Sequence, residues 1–202
     1  MSVLQFINGV WQQAIDNARI DLINPATEEV IDSISYANEK DCDAAIEAAA
    51  AAFKTWSKTT PYFRAEILKK AAQHIRDNVE AFAKDMVLES GKPLAEAKGE
   101  WAVAANLFEW YAEEGKRSCG KTIPTNRIDK RSSTIWQPMG VIGVITAWNF
   151  PAYNPARAWA AALAAGCTVV AKPSESTPLS GVHLAEALIA AGIPPGVLNV
   201  LT

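Results

Sequence analysis

Two uncharged segments late in the chain constrain its fold more than any other feature. The first is the apolar run 140–147, and the second is 168–171, with the sequence Thr-Val-Val-Ala. Uncharged runs of this length, rich in β-branched residues, are typical of strands that are buried on both faces of a parallel sheet. A third apolar segment, 197–201, has the same character.

The sequence between these segments predicts helices. One covers roughly 153–165 and ends at Gly166, and the other is capped by Thr177, carries Pro178 at its first position and ends at Gly192. Alternating strands and helices predict a parallel β-α-β-α-β unit. Its sheet is expected to leave a free edge after the last strand.

The first part of the chain has a different organisation. Asn8-Gly9 lies between two short apolar segments and predicts a β-hairpin, and the turn residues 24–27 separate two further strands. Predicted helices follow at about 38–56, 60–78 and 79–90, with a fourth that begins at Pro93.

Polar residues follow both apolar strands directly. Asn149 stands in Trp-Asn-Phe-Pro after the first strand, and Lys172 and Glu175 stand in Lys-Pro-Ser-Glu after the second. Because ligands of open α/β sheets bind at the carboxyl ends of the strands, these residues are expected to meet at a binding edge.

These segments, and nearly the whole chain around them, resemble the aldehyde dehydrogenase superfamily. The resemblance also includes 6–11 (Phe-Ile-Asn-Gly-Val-Trp), 88–94 (Leu-Glu-Ser-Gly-Lys-Pro-Leu) and 194–200. Members of that family are more than twice as long as this chain, and the matching part is their N-terminal portion. The resemblance places the family's nucleophilic cysteine and its general-base glutamate in sequence that follows Thr202.

The resemblance implies an α/β fold of the aldehyde dehydrogenase type without the catalytic domain. In this scheme residues 1–119 are the N-terminal strands and helices of the cofactor-binding domain. Residues 120–138 are a strand segment for oligomerisation, and 139–202 are the first, Rossmann-type β-α-β-α-β part of the dinucleotide-binding domain. Two further segments, 110–117 and 129–131, resemble the succinate-semialdehyde branch of the family.

The family reaction assigns a role to Asn149. A cysteine thiolate attacks the aldehyde, the resulting oxyanion requires neutral hydrogen-bond donors, and a hydride then leaves for the nicotinamide. By resemblance the Asn149 carboxamide is the catalytic donor to that oxyanion. The alternative is an ordinary turn asparagine, which is common before Phe-Pro.

The same resemblance predicts the cofactor and its binding residues. NAD is expected, with NADP as the second candidate, because a carboxylate at Glu175 can bind the ribose hydroxyls and would repel a 2′-phosphate. The alternative is a solvated charge pair. The predicted cofactor-binding residues are Ile145, Thr146, Ala147, Trp148, Asn149, Lys172, Pro173, Ser174 and Glu175.

The predicted substrate is an aldehyde, and a semialdehyde such as succinate semialdehyde is the specific expectation. Arg157 resembles the arginine that binds the distal carboxylate in semialdehyde-oxidising members, and Phe150 is expected to line the substrate site. A surface or interface arginine is the alternative for Arg157. Ala158, where the family commonly has lysine, and Trp159 depart from the pattern.

The cysteines and histidines suggest no nucleophile or metal site. Cys42, Cys119 and Cys167 are far apart, and none lies in a family-like motif. Only two histidines are present, so no metal is expected. The 202-residue chain is therefore expected to be inactive alone, and a truncated, non-catalytic fragment that acts by association is the competing hypothesis.

Composition excludes several other classes of protein. Half of the residues are hydrophobic, a fifth are charged, and the net charge is −3, which predicts neither nucleic-acid nor membrane binding. Residues 1–5 carry no signal-peptide pattern, so a cytoplasmic location is expected.

A third candidate function is an acyl-phosphate or acyl-CoA reductase that uses NADPH. The Lys-Pro-Ser-Glu segment argues against this candidate. A homo-oligomer, either a dimer or a tetramer, is the expected assembly.

Overall fold

The computed structural model of the chain describes residues 3–202. Met1 and Ser2, on which part of the targeting prediction depends, lie outside the described residues. Within the described range the strands are β1 (Gln5–Ile7), β2 (Val10–Gln12), β3 (Arg19–Ile23), β4 (Val30–Ser35), β5 (Lys121–Ile123), β6 (Ser132–Thr134), β7 (Val141–Ile145), β8 (Thr168–Lys172) and β9 (Leu198–Val200). The α-helices are α1 (Glu39–Trp56), α2 (Pro61–Asp77), α3 (Val79–Ser90), α4 (Leu94–Glu114), α5 (Tyr153–Ala165) and α6 (Pro178–Ala190), and a 3₁₀ turn covers Gly115–Arg117.

The local signals for the N-terminal elements are confirmed. Asn8 and Gly9 both have positive φ, of 51° and 85°, which is the backbone that a two-residue hairpin turn requires. Asn38 forms a capping box with Asp41 at the start of α1. Thr60 accepts a hydrogen bond from the Phe63 amide at the start of α2.

The central sheet has five strands in the order β2-β1-β9-β8-β7. β7, β8 and β9 are parallel, which confirms the predicted β-α-β-α-β unit, and β1 is antiparallel to β9. The prediction of a free edge after the last strand is wrong, because Phe6 of β1 pairs with Val200 of β9. The edges of this sheet are β2 and β7.

Helices cover the parallel strands on two faces. Val170 packs in a cluster with Ala45 and Ala49 of α1. Its neighbours Val169 and Ala171 belong to the main core, which also contains Trp159 and much of α2, α4 and α6. This alternation follows from the two-residue period of a strand.

β8 is buried as predicted, whereas β7 is not. Four of the five β8 residues are buried, but Val144 is the single fully buried residue of β7. Ile145 is 86% exposed. The prediction of burial on both faces is therefore wrong for 140–147, because β7 is an edge strand that pairs with β8 alone.

The segment 120–138 forms a separate antiparallel hairpin of β5 and β6. Every residue of both strands is exposed. Ile128, Ile135 and Trp136 are also exposed, and Trp136 retains 76% of its surface. The hairpin therefore presents apolar side chains that the rest of the described chain does not cover.

Candidate functional site at the carboxyl ends of two parallel strands

The structure brings the two predicted strand ends together. Ile145 at the end of β7 is in register with Lys172 at the end of β8. The Thr146 amide also donates to the Lys172 carbonyl oxygen at 3.2 Å. The polar segments that follow the strands therefore start from neighbouring positions at one edge of the sheet.

Asn149 lies in the exposed turn between β7 and α5. Its main-chain carbonyl accepts a hydrogen bond from Lys92 Nζ at 3.1 Å. Its side-chain carboxamide makes no hydrogen bond to any residue between 3 and 202. The carboxamide is thus an unpaired donor in the turn after β7, whereas the main chain of the same residue is bound by Lys92.

The turn is stabilised by a buried glutamate that sequence reasoning missed. Glu100 of α4 is 7% exposed, and its Oε1 accepts from the amides of Ala152 and Tyr153 at 2.8 and 3.0 Å. A signal for it exists, since Glu100 shares the apolar face of α4 with Ala97, Trp101 and Ala104, all of which are buried. A charged residue at such a position requires partners.

The Lys-Pro-Ser-Glu segment is a compact turn after β8. Lys172 Nζ donates to the Pro173 carbonyl at 2.8 Å and to Glu175 Oε2 at 3.2 Å. Glu175 is exposed, and its own backbone amide, followed by Lys172, lowers the pKa of its carboxyl group. A lowered pKa keeps Glu175 negative at neutral pH.

A cleft of about 580 Å³ adjoins this edge. Its lining comes from the start of α1 and from β7 and β8, and includes Asn38, Cys42, Ile145 and Lys172. The surface is mostly apolar, with a few polar groups at its ends, as in many small-molecule sites. Of the predicted cofactor residues, Ile145 and Lys172 line it directly.

A second cleft, of about 460 Å³, includes Phe150, the residue that follows Asn149. It is lined by Lys92, Glu96, Gly99, Glu100, Val103, Phe150 and Tyr153. Arg157 does not line this cleft, but its guanidinium lies 5.5 Å from the centre of the Tyr153 ring. Phe150 lines this cleft, whereas Arg157 is exposed on α5 one turn after Tyr153.

A second buried glutamate, from another helix, binds the N-terminus of α6, the helix that follows Lys-Pro-Ser-Glu. Glu89 of α3 accepts from the Leu179 and Ser180 amides at 2.7 and 3.1 Å, and also from the Ser180 hydroxyl. Burial raises the pKa of Glu89 to about 7, although these hydrogen bonds oppose the rise. Thr177 is the N-cap residue of α6, as predicted, but its hydroxyl makes no capping hydrogen bond within the described residues.

His183 of α6 lies beside this cap between two carboxylates. Its ring stacks on Phe82 at 4.2 Å, and its nitrogens are 2.9 Å from Asp85 Oδ2 and 2.8 Å from Glu186 Oε2. Burial disfavours the charged ring, but the two acidic partners outweigh burial and raise the pKa of His183 to about 9. His183 is therefore an imidazolium at neutral pH.

The raised pKa predicts a pH-dependent stability. The stabilisation by His183 should be fully present below pH 6.5 and lost as the pH rises through 9, a change of about 3 kcal/mol. The free energy of unfolding in urea, determined between pH 6.5 and 9.5, measures this change. His183→Gln is expected to reduce its dependence on pH, and His74→Gln is expected to retain that dependence. Equal slopes in the wild-type chain and His183→Gln would contradict the assignment.

The cysteines occupy three different environments. Cys167 is buried, Cys119 is exposed and Cys42 is half-buried in the wall of the larger cleft. Among residues 3–202, no group of three or more His, Cys, Asp or Glu side chains is arranged to hold a metal ion. No helix in that range is both long enough and apolar enough to cross a bilayer.

A parallel β-α-β-α-β unit with polar residues at its carboxyl edge is the architecture of dinucleotide-binding α/β enzymes. The model of the aldehyde dehydrogenase family matches residues 11–202. The chain therefore belongs to the aldehyde dehydrogenase family, which confirms the resemblance seen in the sequence.

Particular relatives refine this comparison. The chain is 47% identical to the NADP(+)-dependent succinate-semialdehyde dehydrogenase GabD of Escherichia coli K12, over 97% of this chain and 41% of that protein. It is 46% identical to the glutarate-semialdehyde dehydrogenase of Pseudomonas putida KT2440, over 98% of this chain and 41% of that protein. The solved structure of betaine aldehyde dehydrogenase from Staphylococcus aureus in complex with NAD+ superposes with a TM-score of 0.95 at 34% identity, over 98% of this chain and 40% of that one. The chain thus spans about two fifths of the length of these relatives.

Proposed function

We propose that this chain forms the cofactor-side portion of an enzyme that oxidises an aldehyde to a carboxylic acid with NAD or NADP. The observation that carries the proposal is the register of Ile145 with Lys172, from which the Asn149 turn and the Lys172–Glu175 turn start at neighbouring positions of one sheet edge. Membership of the aldehyde dehydrogenase family supports a catalytic role for Asn149 over that of an ordinary turn asparagine.

The residues at the sheet edge fit a dinucleotide. The larger cleft has an apolar floor, an ammonium group at Lys172 and an exposed carboxylate at Glu175 just beyond it. A carboxylate can accept both ribose hydroxyls, and an ammonium can donate to a hydroxyl or a phosphate. Ile145, Thr146, Ala147, Trp148, Pro173 and Ser174 complete the proposed cofactor surface, and the bound cofactor supplies the hydride acceptor.

Asn149 is the proposed donor to the reacting oxygen. When a nucleophile adds to the aldehyde carbon, negative charge develops on the carbonyl oxygen, and a preorganised neutral N–H donor stabilises that charge. The nucleophile itself is assigned to no cysteine of this chain. About three fifths of that relative's length lies outside the part that this chain matches, and we propose that such further polypeptide supplies the thiolate and the general base.

A semialdehyde is the proposed substrate class. Two relatives carry that activity in their names, for succinate semialdehyde and for glutarate semialdehyde. Arg157 is exposed on α5, eight residues after Asn149, and its planar guanidinium suits a carboxylate at the far end of such a substrate. Phe150 would contact the aliphatic part, since it lines the smaller cleft.

A second copy of the protein is the proposed partner. The β5–β6 hairpin and the residues after it expose Ile135 and Trp136, whose burial would be favourable. A hairpin surface of this kind suits a homo-oligomeric contact, in a dimer or a tetramer. The competing hypothesis, a fragment that acts only by association, uses the same surface.

The test of the proposed function compares two purified proteins. A catalytically complete protein that contains this chain should produce NADH or NADPH from succinate semialdehyde, measured at 340 nm. The 202-residue chain alone should produce neither above background, because covalent capture of the aldehyde requires a placed thiolate. Turnover by the short chain that disappears in Cys42→Ala or Cys119→Ala would contradict the assignment of the nucleophile, and a complete protein without turnover would contradict the proposed function.

The choice between NAD and NADP provides a separate prediction. Glu175→Gln should weaken NAD binding about tenfold, because a charge-assisted hydrogen bond to ribose is lost, and should improve the relative use of NADP. The ratio of kcat/KM for the two cofactors in the complete protein is the measurement. Glu114→Gln, an exposed glutamate near the end of α4, is the matched control and should leave that ratio unchanged. An unaltered ratio in Glu175→Gln would remove Glu175 from the ribose site.

A further inference from the structure

We propose that Glu100, held in place by Lys92, is a positioning residue that fixes the Asn149 turn from the neighbouring helical layer. The proposal rests on the proposed function, because it assigns to this pair the task of orienting the oxyanion donor. It concerns residues that lie 49 and 57 positions before Asn149 in the sequence. Neither belongs to the strand-end motifs.

The first step in the argument is that α5 has no cap of its own. Its N-cap residue is Ala152, and no local side chain accepts the first amides of the helix. Such amides are unpaired donors unless another group binds them. Glu100 Oε1 accepts from both Ala152 and Tyr153, so the cap is supplied across the helix–helix interface.

The second step concerns the other end of the turn. Lys92 Nζ forms an ion pair with Glu100 Oε2, donates to the Asn149 carbonyl at 3.1 Å and lies 4.5 Å from the centre of the Phe150 ring. One carboxylate and one ammonium group therefore hold the turn at its beginning and at its end. Both Glu100 oxygens are occupied by these contacts.

The third step is that this ion pair differs from the ion pairs on the surface. The side chains of Lys92 and Glu100 are 13% and 4% exposed, whereas those of Arg76 on α2 and Glu109 on α4 are 34% and 47% exposed. Exposed pairs contribute little, but removing one member of a buried pair leaves an uncompensated charge. The Lys92–Glu100 pair is thus able to hold the backbone, and the Arg76–Glu109 pair is a matched control.

The functional consequence follows from geometry. The Asn149 side chain makes no hydrogen bond within the described residues, so the backbone of the turn determines where its Cβ lies and which positions the carboxamide can reach. A shift of about 1 Å in a group near the reacting atoms can cost roughly 10²-fold in rate. Glu100 and Lys92 therefore act on the reaction through the turn.

The experiment is a double-mutant cycle in the catalytically complete protein. Glu100→Gln retains the shape of the side chain and one acceptor oxygen, and should lower kcat about tenfold to hundredfold with the KM for the dinucleotide unchanged. In an Asn149→Ala background, the same change should lower kcat by less than about twofold, because the group that it positions is absent. Glu109→Gln should match the wild type in both backgrounds.

Each outcome decides the proposal. The proposal is overturned if kcat is unchanged in Glu100→Gln. It is also overturned if the same substitution lowers kcat by the full tenfold to hundredfold in the Asn149→Ala background, because that result would indicate general destabilisation. If Glu100→Gln does not fold, Lys92→Met is the second variant, because it leaves the Glu100 cap of α5 in place. Its effect on kcat must also be smaller in the Asn149→Ala background, and Lys92→Arg should restore part of kcat. Absence of aldehyde oxidation in the wild-type protein would refute the proposed function instead. In that case amide exchange at Ala152 and Tyr153, expected to be faster in Glu100→Gln than in Glu109→Gln, decides whether the turn is fixed as described.

Discussion

Replacing Asn149 with alanine in the catalytically complete protein is expected to lower kcat by about 10²–10³ while changing dinucleotide affinity much less. The reason is the role proposed for the carboxamide, which lies in the turn after β7 and makes no hydrogen bond within the described residues, as a donor to the charge that develops on the substrate oxygen. Steady-state kinetics with succinate semialdehyde, together with a separate titration of the dinucleotide, provide the measurement.

Two further variants sharpen this prediction. Asn149→Asp retains the size of the side chain but replaces the N–H donor with a carboxylate, so its kcat should fall at least as far as that of the alanine variant. Asn106→Ala removes an exposed carboxamide from α4 and should retain the wild-type kcat. A near-normal kcat in Asn149→Ala would leave Asn149 as an ordinary turn residue.

The second large effect concerns stability. Trp159→Ala should lower the free energy of unfolding by about 3–5 kcal/mol, because the indole of α5 is fully buried in the main core and its removal leaves a cavity. Chemical denaturation of the 202-residue chain, followed by circular dichroism, measures the change. The same substitution at Trp110, which is 65% exposed on α4, should cost about 0.5 kcal/mol.

A conservative variant separates volume from hydrogen bonding at this position. The Trp159 indole N–H makes no hydrogen bond within the described residues. Trp159→Phe should therefore lose only part of the buried apolar volume and cost much less than the alanine variant. Equal losses for the phenylalanine and alanine variants would mean that the indole nitrogen has a stabilising partner.

Much of the fold could be predicted from the sequence because its signals are local. The positive φ values of Asn8 and Gly9 follow from the types of residue that favour such a turn, and the capping box of Asn38 needs only a residue three positions later. The three parallel strands were also predictable, since short apolar runs alternate with helices. In each case the information lies within one element or in elements that follow one another in the sequence.

The errors arise where the deciding contact is distant in sequence. The β9 edge is covered because Phe6 pairs with Val200, and nothing near either residue specifies that pairing. The composition of 140–147 predicts burial, but the exposure of Ile145 depends on which neighbours the strand has, and β7 pairs with β8 alone.

The candidate site shows the same division. The sequence predicts that the segments carrying Asn149 and Lys172–Glu175 start at adjoining strand ends, and the register of Ile145 with Lys172 agrees with this, because strand direction and the position of each strand end determine that edge. It missed Glu89 and Glu100, since a glutamate within a helix usually faces solvent. Their partners lie 90 and 52 residues away.

These two glutamates have a consequence for the order in which the protein acquires its structure. Each crossover helix of the parallel sheet begins at an acceptor that belongs to an earlier helix, and that acceptor leaves the ribosome 52 or 90 residues before the amides that it binds. Because synthesis proceeds from the N-terminus and local helices form faster than sheets, α3 and α4 can be in place when α5 and α6 emerge. The N-terminal helices then act as a template during translation, on which the sheet edge that carries Asn149 and Lys172 is assembled.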